Sequence, residues 1–177
     1  MEIIFEKRNE CLISSIEENI ELDESLSSPV NVTYSRGSVP KDGNEIFGKF
    51  RVGSLDYRII LIPYGVHYEK TTQLFQYGPP EKVDTLEVHF QVKGEDGEWT
   101  HEITDSESAF SVFATIANET LKFSQQYKCD TVTTSINDGN KKRISLYSRI
   151  MRKLGAQEGY SLSVNTSNDM TTFTLSR

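Results

Sequence analysis

The sequence has no apolar run approaching the ~18 residues that a membrane-spanning helix needs, so no helical span is predicted. Its first residues, MEIIFEKRNE, do not lead a basic segment into an apolar one, and no secretory signal is expected. Cysteine is scarce. Cys11 and Cys129 lie far apart with no CxxC context, which predicts two reduced thiols in a cytoplasmic protein and not a disulfide framework. Without secretion, the glycosylation patterns at Asn31, Asn118 and Asn165 are chance matches. No Gly-x-Ser-x-Gly, P-loop or HExxH pattern occurs, and there is no internal repeat or low-complexity tract.

What is present is a chain of ordinary charge content, 177 residues long, which predicts one globular domain with a single core. The net charge of −7 argues against nonspecific nucleic-acid binding. The charge is uneven. Residues 1–30 hold eight acids against Lys7 and Arg8, while residues 141–153 hold six basic residues and no acid. That basic run reads as a solvated helix face, or as an anion site or docking face, with Arg143, Arg149, Arg152 and Lys153 as the candidate partner-binding residues.

Residues 1–44 read as an N-terminal strand, helix and loop segment packed on the core, and 45–177 as the core itself. Leu12, Ile13, Ile16 and Ile20 recur at helical spacing, and Val30–Tyr34 suggests a short strand. EIFGKFRV and YRIILIPY around GSLD predict a hairpin, followed by an aromatic-rich connection from Tyr64 to Pro80. In LEVHFQV, Leu86, Val88, Phe90 and Val92 alternate with Glu87, His89 and Gln91. GEDGE is a turn, and WTHEIT a return strand. A long helix then presents Phe110, Val112, Phe113, Ile116, Ala117, Leu121, Phe123 and Tyr127 on one arc, with Ser111, Thr115, Asn118, Glu119, Lys122 and Gln126 on the polar arc. TVTTSI predicts a strand. A second helix, roughly 141–154, is expected to stop at Gly155, and YSLSV and MTTFTLS close the chain as a hairpin. The expected class is α+β: one twisted mixed sheet, an antiparallel meander followed by helix, strand, helix and a C-terminal hairpin.

This order resembles the GNAT-type acetyltransferase fold over residues 45–177. Asn140-Lys-Lys-Arg-Ile-Ser-Leu-Tyr147 repeats the family's Asn-to-Tyr spacing of seven. The resemblance implies Asn140 as a cofactor contact and Tyr147 as the acid that protonates the leaving thiolate of coenzyme A. Glu87 would relay the proton of the acceptor amine. The sequence departs from the family where an Arg/Gln-x-x-Gly-x-Gly/Ala loop should bind the pyrophosphate at a helix N-terminus. That position reads ITDSESAF, with no glycine and with Asp105 and Glu107. One carboxylate about 4–5 Å from a phosphate costs roughly 3–4 kcal/mol at an effective dielectric near 20, or two orders of magnitude in affinity. LGAQEGY also delays the family's aromatic residue to Tyr160.

AFSVFATIANETLKF and RISLYSRIMRKL further resemble uncharacterised GNAT-like proteins of tailed bacteriophages. The leading expectation is therefore a phage-type GNAT-like protein with a degenerate cofactor loop and no cofactor. It would act by contact with a phage or host protein, in the host cytoplasm or the virion. The alternative is an acetyl-CoA-dependent N-acetyltransferase with an atypical loop. A third reading, an acidic nucleic-acid mimic blocking a host DNA-binding protein, conflicts with the basic 141–153 run. His89 and His101 flank the GEDGE turn with Glu87 and Glu102 nearby, but nothing converges three or four ligands, so no metal is expected.

Overall fold

The computed structural model describes residues 29–35, 39–69, 80–101, 106–137, 141–168 and 170–177. The helix expected at residues 9–22 lies outside the described residues. Among the described residues ten elements follow in order: β1 (Thr33–Tyr34), β2 (Ile46–Val52), β3 (Leu55–Tyr68), β4 (Pro80–Lys93), β5 (Trp99–Thr100), α1 (Ser106–Gln126), β6 (Thr131–Asn137), α2 (Lys141–Gln157), β7 (Ser161–Ser167) and β8 (Met170–Ser176). The strands form one mixed sheet in the order β1-β2-β3-β4-β6-β8-β7, with β5 pairing on β4. All pairs are antiparallel except β4 with β6. Among the described residues, no helix is long and apolar enough to cross a membrane.

Register explains where the core sits. Phe50 lies opposite Tyr57, Tyr57 opposite Val92, Leu61 opposite Val88, Leu86 beside Val132, and Val132 opposite Leu175. Because side chains alternate along a strand, these residues share one face, and all of them are buried. The crossovers β4-α1-β6 and β6-α2-β7 step in the same direction across the sheet. Crossovers of one hand therefore put both helices on that face. The apolar arcs of α1 and α2 meet the sheet there through Val112, Phe113 and Ala117, and through Tyr147, Ile150 and Leu154. The opposite face carries the alternate set, including Arg58, Glu87, His89 and Gln91.

Three expectations need correcting. The strand predicted to end near Tyr64 runs on to Tyr68. Pro63 does not break it, because β2 has ended at Ile46 opposite Leu61 and no strand needs the missing N–H there. The Pro63 carbonyl instead accepts from the Gly43 N–H at 2.7 Å. The return strand expected at WTHEIT is present at Trp99–Thr100, antiparallel to β4, and residues 102–104 lie outside the described residues.

Thr115 and Glu119 do not face water: Thr115 is fully buried and Glu119 is 8% exposed. Segment 29–35 lies over them. The Val30 N–H donates to Thr115 Oγ1 at 2.9 Å, and the Tyr34 hydroxyl donates to Glu119 Oε2 at 3.0 Å. Lys122 Nζ also meets Glu119 Oε1 at 2.8 Å. A buried polar group is tolerated when its hydrogen bonds are made.

Gly155 does not stop α2. It lies inside the helix, where an added Cβ would stand 2.7 Å from Leu175 Cδ2, so it is a packing glycine. The stop comes at Gly159, with φ of 76°. The Tyr160 N–H closes onto the Gly155 carbonyl at 2.8 Å, the six-to-one bond of a Schellman ending.

Candidate functional site

The parallel pair β4/β6 holds together over only three positions: Thr85 with Thr131, Leu86 with Val132, and Glu87 with Thr133. Beyond them β6 stays with β8 through Asn137, and β4 continues to Lys93 beside β3. The sheet therefore splits between the two strands. At the far end of the split, β5 takes up the free edge of β4 at Val92 and Lys93.

On the helix side the split is floored by a cavity of about 60 Å³, lined by Phe90, Phe113, Leu121, Thr134, Tyr147 and Ile150 among others. Its lining is mostly carbon, which offers a water molecule few partners.

Tyr147 forms one wall. It is 8% exposed. Its ring meets Phe113 edge-on at 5.2 Å between centroids and stacks on Phe173 at 5.8 Å. Phe90 extends the array by an edge-on contact with Phe113 at 6.0 Å. Such pairs contribute ~0.5–1.5 kcal/mol each beyond area burial. Helical spacing places Tyr147 with Ile150 and Leu154, and that arc points at the sheet.

Glu87 is not brought to Tyr147. Strand alternation sends it to the other face from Val88 and Phe90, which line the cavity. There Glu87 Oε2 accepts the Tyr64 hydroxyl at 3.2 Å, and Oε1 lies 2.8 Å from His89 Nε2. Desolvation first, then the Glu87 carboxylate, push the Tyr64 phenol above its ordinary range. Sequence reasoning singled out Glu87 but left Tyr64 in a loop. The signal was available: alternation continues through Pro63 in the register Ile62–Glu87, Tyr64–Thr85.

Further along the same face, the bonding pattern fixes the tautomer of His101. Its Nδ1–H must donate to the Phe90 carbonyl at 3.0 Å, because a carbonyl only accepts. Nε2 then accepts from Gln91 Nε2 at 3.1 Å. Gln91 Oε1 in turn accepts from Arg58 Nε at 2.6 Å, and the Arg58 guanidinium lies over Trp99 at 4.5 Å. The His89 and His101 rings stand 6.5 Å apart. Among the described residues, no group of three or more His, Cys, Asp or Glu side chains converges to hold a metal ion.

The remaining candidates scatter. Asn140 and Asp105 lie outside the described residues, as do the side chains of Glu107 and Arg143. Arg149 and Arg152 are exposed on α2. Lys153 is half-buried and already engaged with a neighbour. Cys129 is fully buried, and desolvation pushes its thiol up to about 12. That is an inert structural thiol.

No protein-family model matches the chain, and neither a curated protein nor a solved structure matches it.

Proposed function

We propose that the chain is a phage-type GNAT-like protein with a degenerate cofactor loop, acting by protein contact as a virion component or as a factor on host machinery. The observation that carries this reading is ITDSESAF at the start of α1, Gly-free and bearing Asp105 and Glu107 where a diphosphate would need bare amides. The site geometry supports it further. Tyr147 is clamped between two aromatic rings at the strand split. The element order, a meander followed by helix, strand, helix and closing hairpin, supports the GNAT-like part of the reading. The contact surface is the basic side of α2, with Arg143, Arg149, Arg152 and Lys153. Isothermal titration with acetyl-CoA tests the proposal. The expected result is no heat of binding, and micromolar affinity would overturn it.

One observation favours a second reading, an acetyl-CoA-dependent N-acetyltransferase. β4 and β6 part after three pairs, directly beside Tyr147. On that reading Tyr147 protonates the leaving thiolate, Asn140 contacts the cofactor, and Glu87 relays the amine proton. Tyr147→Phe would then lower turnover far more than substrate binding. An unchanged rate removes the role.

A further inference from the structure

The two sheet edges differ in what they can pair with. β1, at one edge, is two residues long. β7, at the other, is seven residues long and pairs only with β8 among the described residues. Every β7 residue except Leu162 is exposed, and among the described residues no strand pairs along its outer side. Natural edge strands are guarded by charge, proline or a bulge. β7 reads Ser-Leu-Ser-Val-Asn-Thr-Ser, with no charge and no proline, and it runs in unbroken register with β8 from Ser161–Ser176 to Ser167–Met170.

We infer that β7 is a self-pairing edge, whose occupant is β7 of a second copy of this chain, antiparallel about a two-fold axis at Val164. The strand is complementary to itself in that register. Ser161 meets Ser167, Leu162 meets Thr166, Ser163 meets Asn165, and Val164 meets its own equivalent. No pair sets like charges opposite one another. Val164, 42% exposed at the centre of the edge, is covered by its mate. Self-pairing is isologous and closes at two. Head-to-tail pairing of β7 onto β1 would find only two residues to pair with.

The charges set the salt dependence. Each protomer carries −7 overall, and α2, which packs on β7 and β8, presents the exposed Arg149 and Arg152. Like charges of both signs oppose association, so added salt strengthens it. A charged peptide as the occupant would instead be weakened by salt. Edge pairing alone buries less than a standard interface, which places the dimer among weak, concentration-dependent ones.

Sedimentation of the full chain over a concentration series tests this. The expected result is a shift from the 20.1 kDa monomer toward twice that mass, larger at high salt. Val164→Lys places two ammonium groups together at the axis and should abolish the shift. Ser163→Lys, exposed on the opposite face of the strand, gives an independent second variant should the first misfold. In a Cys11→Ser background, Val164→Cys should cross-link to itself under mild oxidation, because facing Cα atoms in an antiparallel pair stand ~4.5–5.5 Å apart, within disulfide reach. A monomer at every concentration and salt overturns the inference. So does a dimer that survives both lysine variants and leaves Val164→Cys unlinked.

Discussion

Replacing Tyr147 by alanine separates a packing residue from a solvent-facing acid. The side chain is 8% exposed and holds two ring contacts, with Phe113 at 5.2 Å and Phe173 at 5.8 Å. Two such contacts account for about 1–3 kcal/mol. Deleting a buried aromatic ring altogether costs about 3–5 kcal/mol. The site adjoins a cavity of about 60 Å³ and cannot collapse to heal the loss, so the upper half of that range is expected. Tyr147→Phe keeps both ring contacts and gives up only the bond of the hydroxyl, about 1 kcal/mol. Urea unfolding monitored by far-ultraviolet dichroism reads both. At a slope of about 2 kcal/mol per molar, Tyr147→Ala should lower the midpoint by roughly 2 M and Tyr147→Phe by roughly 0.5 M, with the slope unchanged. A cost under about 1 kcal/mol for Tyr147→Ala would refute the packing argument. It would leave the phenol as a group held for some purpose other than stability.

Tyr34 carries a pH signature. Desolvation first, then Glu119, raise its folded-state pKa well above the ordinary 10.0. A raised acid stabilises the fold fully below its unfolded value, and the benefit is lost as the pH climbs past it. Stability should therefore fall from about pH 10 upward, and Tyr34→Phe should flatten that fall in alkaline melting curves. Cys129, buried and with its thiol pushed up to about 12, should resist a thiol reagent in the native protein at pH 8 and react on unfolding. Labelling in a Cys11→Ser background reads this directly. Gly155→Ala gains about 1 kcal/mol of helix propensity but drives a methyl to 2.7 Å from Leu175 Cδ2. Overpacking at about 1–3 kcal/mol should prevail, giving a lower melting temperature where a free helix position would give a higher one.

Much of the sheet was legible because alternation is a strong signal. Leu86, Val88 and Val92 are buried, as their spacing predicts, and the arcs of both helices pack where helical periodicity places them. What failed shares a cause: a residue type that stands for two environments. Thr115 and Glu119 look solvent-facing on a helical wheel, yet hydrogen bonds from Val30 and Tyr34 let them go under. Those partners lie 85 residues away in the chain, beyond any local pattern. Gly155 signals a helix end by type, but close approach to Leu175 requires the same absence of a Cβ. The strand expected to end near Tyr64 runs on, because Pro63 stays paired with Leu86 of β4 and its nitrogen faces the side that β2 has already left. Of the candidate site, Tyr147 and Glu87 were named in advance. Alternation along β4 already turns Glu87 away from Val88 and Phe90; that α2 brings Tyr147 to the Val88–Phe90 face is a long-range fact which a single sequence does not carry.

The most direct test of the functional account is thermal unfolding with and without acetyl-CoA at about 1 mM. A ligand at a hundredfold over its Kd stabilises by about 2.7 kcal/mol, which for a chain of this size raises Tm by roughly 5–10 °C. The account predicts an unchanged Tm, because on the proposed reading the Gly-free, acidic ITDSESAF stretch replaces a diphosphate-binding loop. A saturable rise of that size would contradict it.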